Sequence, residues 1–194
     1  MITHLQELKG AAIAAALSCH AGAAQAADAQ GSYAIEGPGA QSCTTFMAHD
    51  RGSTEYAVSL GFIAGYLGAA NAFRADTFDL TPWQTIELSA AQLLQFCEAN
   101  PDAALAQGLE QYASFLHPQR ITESEQKLSL QVGDKVVVQY GTTVERIRDA
   151  LRERGFGTDE EPLSGLKEYQ ESIGVEPTGL PDQATLSRLI GRPD

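Results

Sequence analysis

The chain has 194 residues and 43% apolar side chains, enough for one medium domain or two small ones with a packed core. Acidic residues outnumber basic ones by 25 to 13, a net charge of −12, and no basic face stands out, which argues against a nucleic-acid partner. The acidity reads as solubility rather than as a site.

Residues 1–26 read as a secretory signal: Lys9, the apolar run Ala11–Leu17, and an A-x-A cleavage site at Ala24-Gln25-Ala26, predicting a mature start at Ala27. A lipoprotein signal on Cys19 is the rival, but Ala16-Leu17-Ser18 lacks the larger aliphatic residue that a lipobox prefers at its first position. A retained anchor helix is a third option, and the apolar run is short for it. Cleavage leaves two cysteines, Cys43 and Cys97. In an oxidising periplasm such a pair forms a disulfide; the alternative is a reactive thiol served by His49 or His117. The bridge would close a loop of about 55 residues, stabilising by roughly 4 kcal/mol through chain entropy.

Residues 27–42 are Gly-, Ala- and Ser-rich and read as a flexible leader. Cys43–Met47 reads as a helical turn, and Ser53 or Thr54 as the N-cap of the helix that follows. That helix, Tyr56–Phe73, is apolar almost all round, with glycines at 61, 65 and 68. The pattern predicts a buried core helix whose small faces let another backbone approach; a membrane span is the alternative. Next comes a loop with Asp76, Asp79, Pro82 and Trp83, the only tryptophan, read as a lid over the core rather than a ligand-stacking surface. Ser89 is expected to cap the helix carrying Leu93, Leu94, Phe96 and Cys97, and Asp102 to start the next, with Leu105, Leu109, Tyr112 and Leu116 on one face.

The C-x-x-F start at Cys43 and Phe46, the F-I-A-G-Y-L-x-A-x-N stretch at Phe62–Asn71 and the F-C-E-A-N-P end at Phe96–Pro101 resemble the small periplasmic helical proteins of the HdeA/HdeB type and their Tai-like relatives. That resemblance covers about 75 residues and implies a disulfide-clamped helical domain over 43–117. It brings an acid-stress chaperone and immunity-type inhibitors of cell-wall enzymes into view as functions.

Residues 118–142 form the connector. Its first part is polar, and LSLQVGDKVVVQY reads as a hairpin turning at Gly133-Asp134. Beyond it, Thr142-Thr143 is expected to cap a helix with Val144, Ile147 and Leu151 inward. A second helix spans 163–173, and a third is capped by Asp182. The order V-x-x-I-x-x-A-L-x-x-x-G-F and then L-K-x-Y-Q-x-x-x-G-V-x-x-T-G-L-x-D-x-A-T-L-x-x-L resembles the three-helix peptidoglycan-binding module of bacterial wall hydrolases, over residues 143–190. The intervening loop is short and acidic, with Asp159, Glu160 and Glu161.

No nucleophile elbow, zinc-protease motif or phosphate loop is present, and no catalytic residue, metal or cofactor is expected. Arg146, Arg148, Arg152 and Arg154 crowd one helix and read mainly as partners of Glu145, Asp149 and Glu153. Arg152, Tyr169 and Gln170 are the candidate ligand-binding residues, the guanidinium being suited to a wall-peptide carboxylate. The expected fold is mainly α: a disulfide-clamped helical domain, a short hairpin connector and a C-terminal three-helix module (143–194). The expected function is a non-catalytic periplasmic protein, with no membrane span after signal cleavage, that associates with peptidoglycan through its C-terminal module and with an envelope protein as a further partner. An acid-stress chaperone or an immunity-type inhibitor is the alternative.

Overall fold

The computed structural model describes Asp28, Gln30, residues 32–157 and residues 163–191. The signal segment 1–26, the cleavage site and the acidic loop Asp159–Glu161 lie outside those residues. The described residues fall into two parts, those up to Ala34 and a compact unit from Ile35 onward. In the first, the Asp28 carboxylate accepts from the backbone N–H groups of Gln30 (3.0 Å) and Ser32 (2.7 Å), a local turn.

The compact unit is mainly helical, as expected, with seven α-helices and one hairpin among the described residues. The helices are α1 (Cys43–Met47), α2 (Thr54–Phe73), α3 (Ile86–Ala99), α4 (Leu105–Leu116), α5 (Gly141–Glu153), α6 (Leu166–Ser172) and α7 (Gln183–Leu189). The strands are β1 (Lys127–Val132) and β2 (Lys135–Tyr140), antiparallel, with Val132 opposite Lys135. Gly133 takes φ +62°, the left-handed conformation that a two-residue hairpin loop requires.

The Cys43–Cys97 disulfide forms, with a Cα–Cα distance of 4.9 Å, and joins α1 to α3 inside the first core. Phe46, Ile63, Leu67, Leu80, Leu93 and Leu109 pack around it. The segment 35–42 is not a free leader. Gln41 accepts from Leu105 N–H (2.9 Å), Cys43 N–H donates to Ala103 O (2.8 Å), and Gly39 is buried under the Phe62 ring.

Three caps differ from expectation. Thr85, not Ser89, caps α3, its hydroxyl accepting from Leu88 N–H at 3.2 Å, while Ser89 is buried inside the helix. α4 starts at Leu105, not Asp102, and Gln107 Oε1 accepts from Ala104 N–H at 3.0 Å. α5 starts at Gly141, where the Glu125 carboxylate takes the capping role from Thr142-Thr143 by accepting from Thr142 N–H (3.2 Å) and Oγ1–H (3.0 Å). A carboxylate arriving from the connector satisfies helix donors as well as a local hydroxyl does. Ser53 and Asp182 cap α2 and α7 as read.

α2 is the largest departure. Only Tyr56, Ser59, Ile63, Leu67 and Ala70 are buried. A Cβ at Gly61, Gly65 or Gly68 would meet nothing within 4 Å, so no backbone approaches these glycines. By length and composition α2 also passes as a membrane-spanning helix.

The second core contains Ile147, Leu151, Leu166, Tyr169, Leu186 and Leu189. Trp83 joins them at 5% exposure, carried in by the α2–α3 loop. The Gln183 amide fastens that loop, accepting from Thr85 N–H at 2.9 Å and donating to the Trp83 carbonyl. Trp83 is therefore a lid, and the core it closes is that of α5–α7.

The polar connector is pinned as well. Ile121 exchanges backbone hydrogen bonds with Asp79, and Arg146 donates to the carbonyls of Gln119 and Arg120. Burial pulls the Arg146 pKa down, and the Glu125 carboxylate acts against that shift. The hairpin stays largely in solvent, with Val136 and Val138 exposed, although Phe78 meets Tyr140 edge-on at 6.2 Å.

Candidate functional site

The three ligand-binding candidates from the sequence do not share a surface. Arg152 lies on the exposed side of α5, 3.7 Å from Asp149. Arg148 reaches the same carboxylate at 3.4 Å, and Arg154 donates to the Ala150 carbonyl. Tyr169 is buried, its ring edge-on to Phe156 at 5.5 Å. Gln170 is wholly buried. Its amide nitrogen faces Leu180 O (2.9 Å), Asp182 Oδ2 (3.1 Å) and Thr185 Oγ1 (3.1 Å), and its Oε1 accepts from Gly179 N–H (2.8 Å). This side chain ties α6 to the cap of α7, so its hydrogen-bonding capacity is used inside the fold.

Neither cysteine is a free thiol. His49 Nε2 sits 3.0 Å from Gln41 Oε1, and His117 Nδ1 lies 3.5 Å from Arg120. Among the described residues no group of three or more His, Cys, Asp or Glu side chains is placed to hold a metal ion.

A concave surface of the compact unit lies along α3 and α4. Two adjoining hollows of about 720 and 620 Å³ share Phe96 and Gln111 and form one open trough. It follows α3 from Leu88 to Asn100, roughly 18 Å at the helical rise. Leu93, Phe96, Tyr112 and Phe115 supply apolar surface, and Gln92, Gln95 and Gln111 supply amides. Ser187 of α7 and Gly191 close one end, so the C-terminal helices contribute to the trough. Among the described residues Glu110 is the one charged side chain along it, in the smaller hollow.

Local structure explains the trough's shape. Gly108 faces α3, and a Cβ there would stand 2.7 Å from the Phe96 ring and 3.0 Å from Leu93. The missing side chain lets the Phe96 ring lie against α4. Tyr112 is fixed by its hydroxyl, which donates to Gln92 Oε1 (2.6 Å) and lies 3.3 Å from Ser89 Oγ. Burial pushes its pKa up to about 12, and the Ser89 hydrogen bond acts in the opposite direction. Phe115 is 44% exposed at the trough wall, with Gln95 and Gln111 also in solvent.

A neutral amide both donates and accepts, and an apolar wall takes the C–H faces of a ligand. The arrangement suits an uncharged, hydrogen-bonding chain laid along the two helices. The signal for this site was present in the sequence as amides at helical spacing: Gln92 and Gln95 on α3, Gln107 and Gln111 on α4. What the spacing lacked was the pairing of the two helices that turns two stripes into one trough. In comparisons with protein-family models, with curated proteins and with solved structures, this chain matches none.

Proposed function

We propose that this is a non-catalytic binding protein of the bacterial cell envelope, exported to the periplasm, that associates with peptidoglycan. The observation that carries the reading is the open, nearly uncharged trough along α3 and α4, bordered by α7. The disulfide supports an oxidising compartment. The resemblance of residues 143–190 to a peptidoglycan-binding module supports the ligand. Contact through that module is then made where α7 borders the trough, since Tyr169 and Gln170 are buried and Arg152 stands apart from them.

Sedimentation of the full chain with purified sacculi tests this. Retention that survives high salt is expected, because a chain carrying −12 has no charge attraction to a carboxylate-rich wall. Failure to sediment at low salt would remove the wall from the account. The alternative of an acid-stress chaperone or an immunity-type inhibitor draws support from the exposed side of α2, where Val58 and Phe73 stand in solvent. Suppression of another protein's aggregation at acid pH, or inhibition of a wall amidase, without sacculus binding would favour it.

A further inference from the structure

We infer that the trough holds the glycan strand of the wall rather than its stem peptides, an inference that rests on the proposed association with peptidoglycan. Wall material offers two chemistries: a polymer of N-acetylated sugars and short peptides carrying free carboxylates. The trough discriminates between them by charge. Among the described residues its larger hollow has no charged lining residue, and the smaller one has Glu110 alone. A stem-peptide carboxylate would meet this glutamate in a chain already at −12, with no Lys or Arg among the described lining residues to compensate.

A sugar chain asks for what is present. Hydroxyls and N-acetyl groups both donate and accept, as do the amides of Gln95 and Gln111 at the rim. The apolar face of a pyranose ring packs on an aromatic side chain, and Phe115 is available in solvent beside them. The roughly 18 Å run along α3 takes a short series of rings laid end to end.

Calorimetric titration of the full chain with a soluble hexamer of N-acetylglucosamine, and separately with a wall stem peptide, tests the inference beside the sacculus assay. The hexamer is expected to bind with an affinity unchanged between low and high salt, and the stem peptide to give no heat. Gln111→Ala and Phe115→Ala, both at exposed positions, are each expected to weaken hexamer binding about five- to tenfold. Lys167→Ala on the exposed side of α6 leaves it unchanged. Sacculus retention with no hexamer binding, or with salt-sensitive stem-peptide binding, overturns the glycan assignment while the wall association stands. Hexamer binding indifferent to both trough variants overturns the site. Loss of sacculus and hexamer binding together removes the wall reading and this inference with it.

Discussion

α2 and α4 are neighbours in the first core and are used in opposite ways. α2 is the most continuously apolar helix, twenty residues without a charge beyond Glu55, yet five of its side chains are buried. α4 is shorter and carries Gln107, Glu110 and Gln111, yet seven of its twelve residues are buried. Composition therefore ranked the two in the wrong order. Burial needs a partner for each face, and the fully buried positions of α2 form one stripe, at 56, 59, 63, 67 and 70, with Leu60, Phe62 and Tyr66 only partly buried beside it. On its opposite side Val58 is half exposed and Phe73 87% exposed. Their glycines make the same point. Gly61, Gly65 and Gly68 look into open space, while Gly108 lies under an aromatic ring.

The largest test of this contrast is covalent. α2 lies inside the loop closed by Cys43 and Cys97, and α4 lies outside it. Cys97→Ser is expected to cost about 4 kcal/mol in denaturant unfolding. In hydrogen exchange, α2 should lose protection first, because it has the smaller share of packing to fall back on. If α2 and α4 lose protection together, the disulfide supports the whole core evenly and the contrast is reduced to surface area. Gly108→Ala comes next. The added methyl must displace the Phe96 ring, and a loss of about 1–2 kcal/mol is expected after the helix-propensity gain. The same substitution at Gly68 should act with opposite sign, raising stability by up to about 1 kcal/mol, since the new Cβ meets nothing. Destabilisation by Gly68→Ala would mean that this side of α2 is covered in solution.

The smallest effect is one of pH. Burial holds the Tyr112 phenol neutral to about pH 12, whereas in the unfolded chain it ionises near 10. The stabilisation is complete below the lower value and is lost as pH rises through the higher one. Tyr112→Phe should flatten this alkaline part of the stability profile and leave the profile at neutral and acid pH parallel to that of the parent. An unchanged alkaline slope would show that α4 does not bury its tyrosine in solution.

Much of the fold was legible without coordinates because its signals are local. The helix periodicity of α3, α4 and α5, the Ser53 and Asp182 caps, the turn at Gly133 and the cysteine pair each depend on a few adjacent residues or on one chemical preference. What only the tertiary structure decided is non-local. Glu125 supplies the cap of α5 from sixteen residues upstream of its first residue, a position no local pattern marks. Trp83 leaves the segment in which it was read and completes a core whose other members begin at Ile147. Gln170, a polar side chain that on chemistry alone suited a ligand, is consumed by the cap of α7. The trough has the same origin: α3 and α4 each carry a stripe of glutamines, and an amide-lined concave surface forms where the two helices pack with α7 beside them. Side-chain chemistry is written residue by residue, but burial and concavity belong to pairs of elements, and no single segment encodes them.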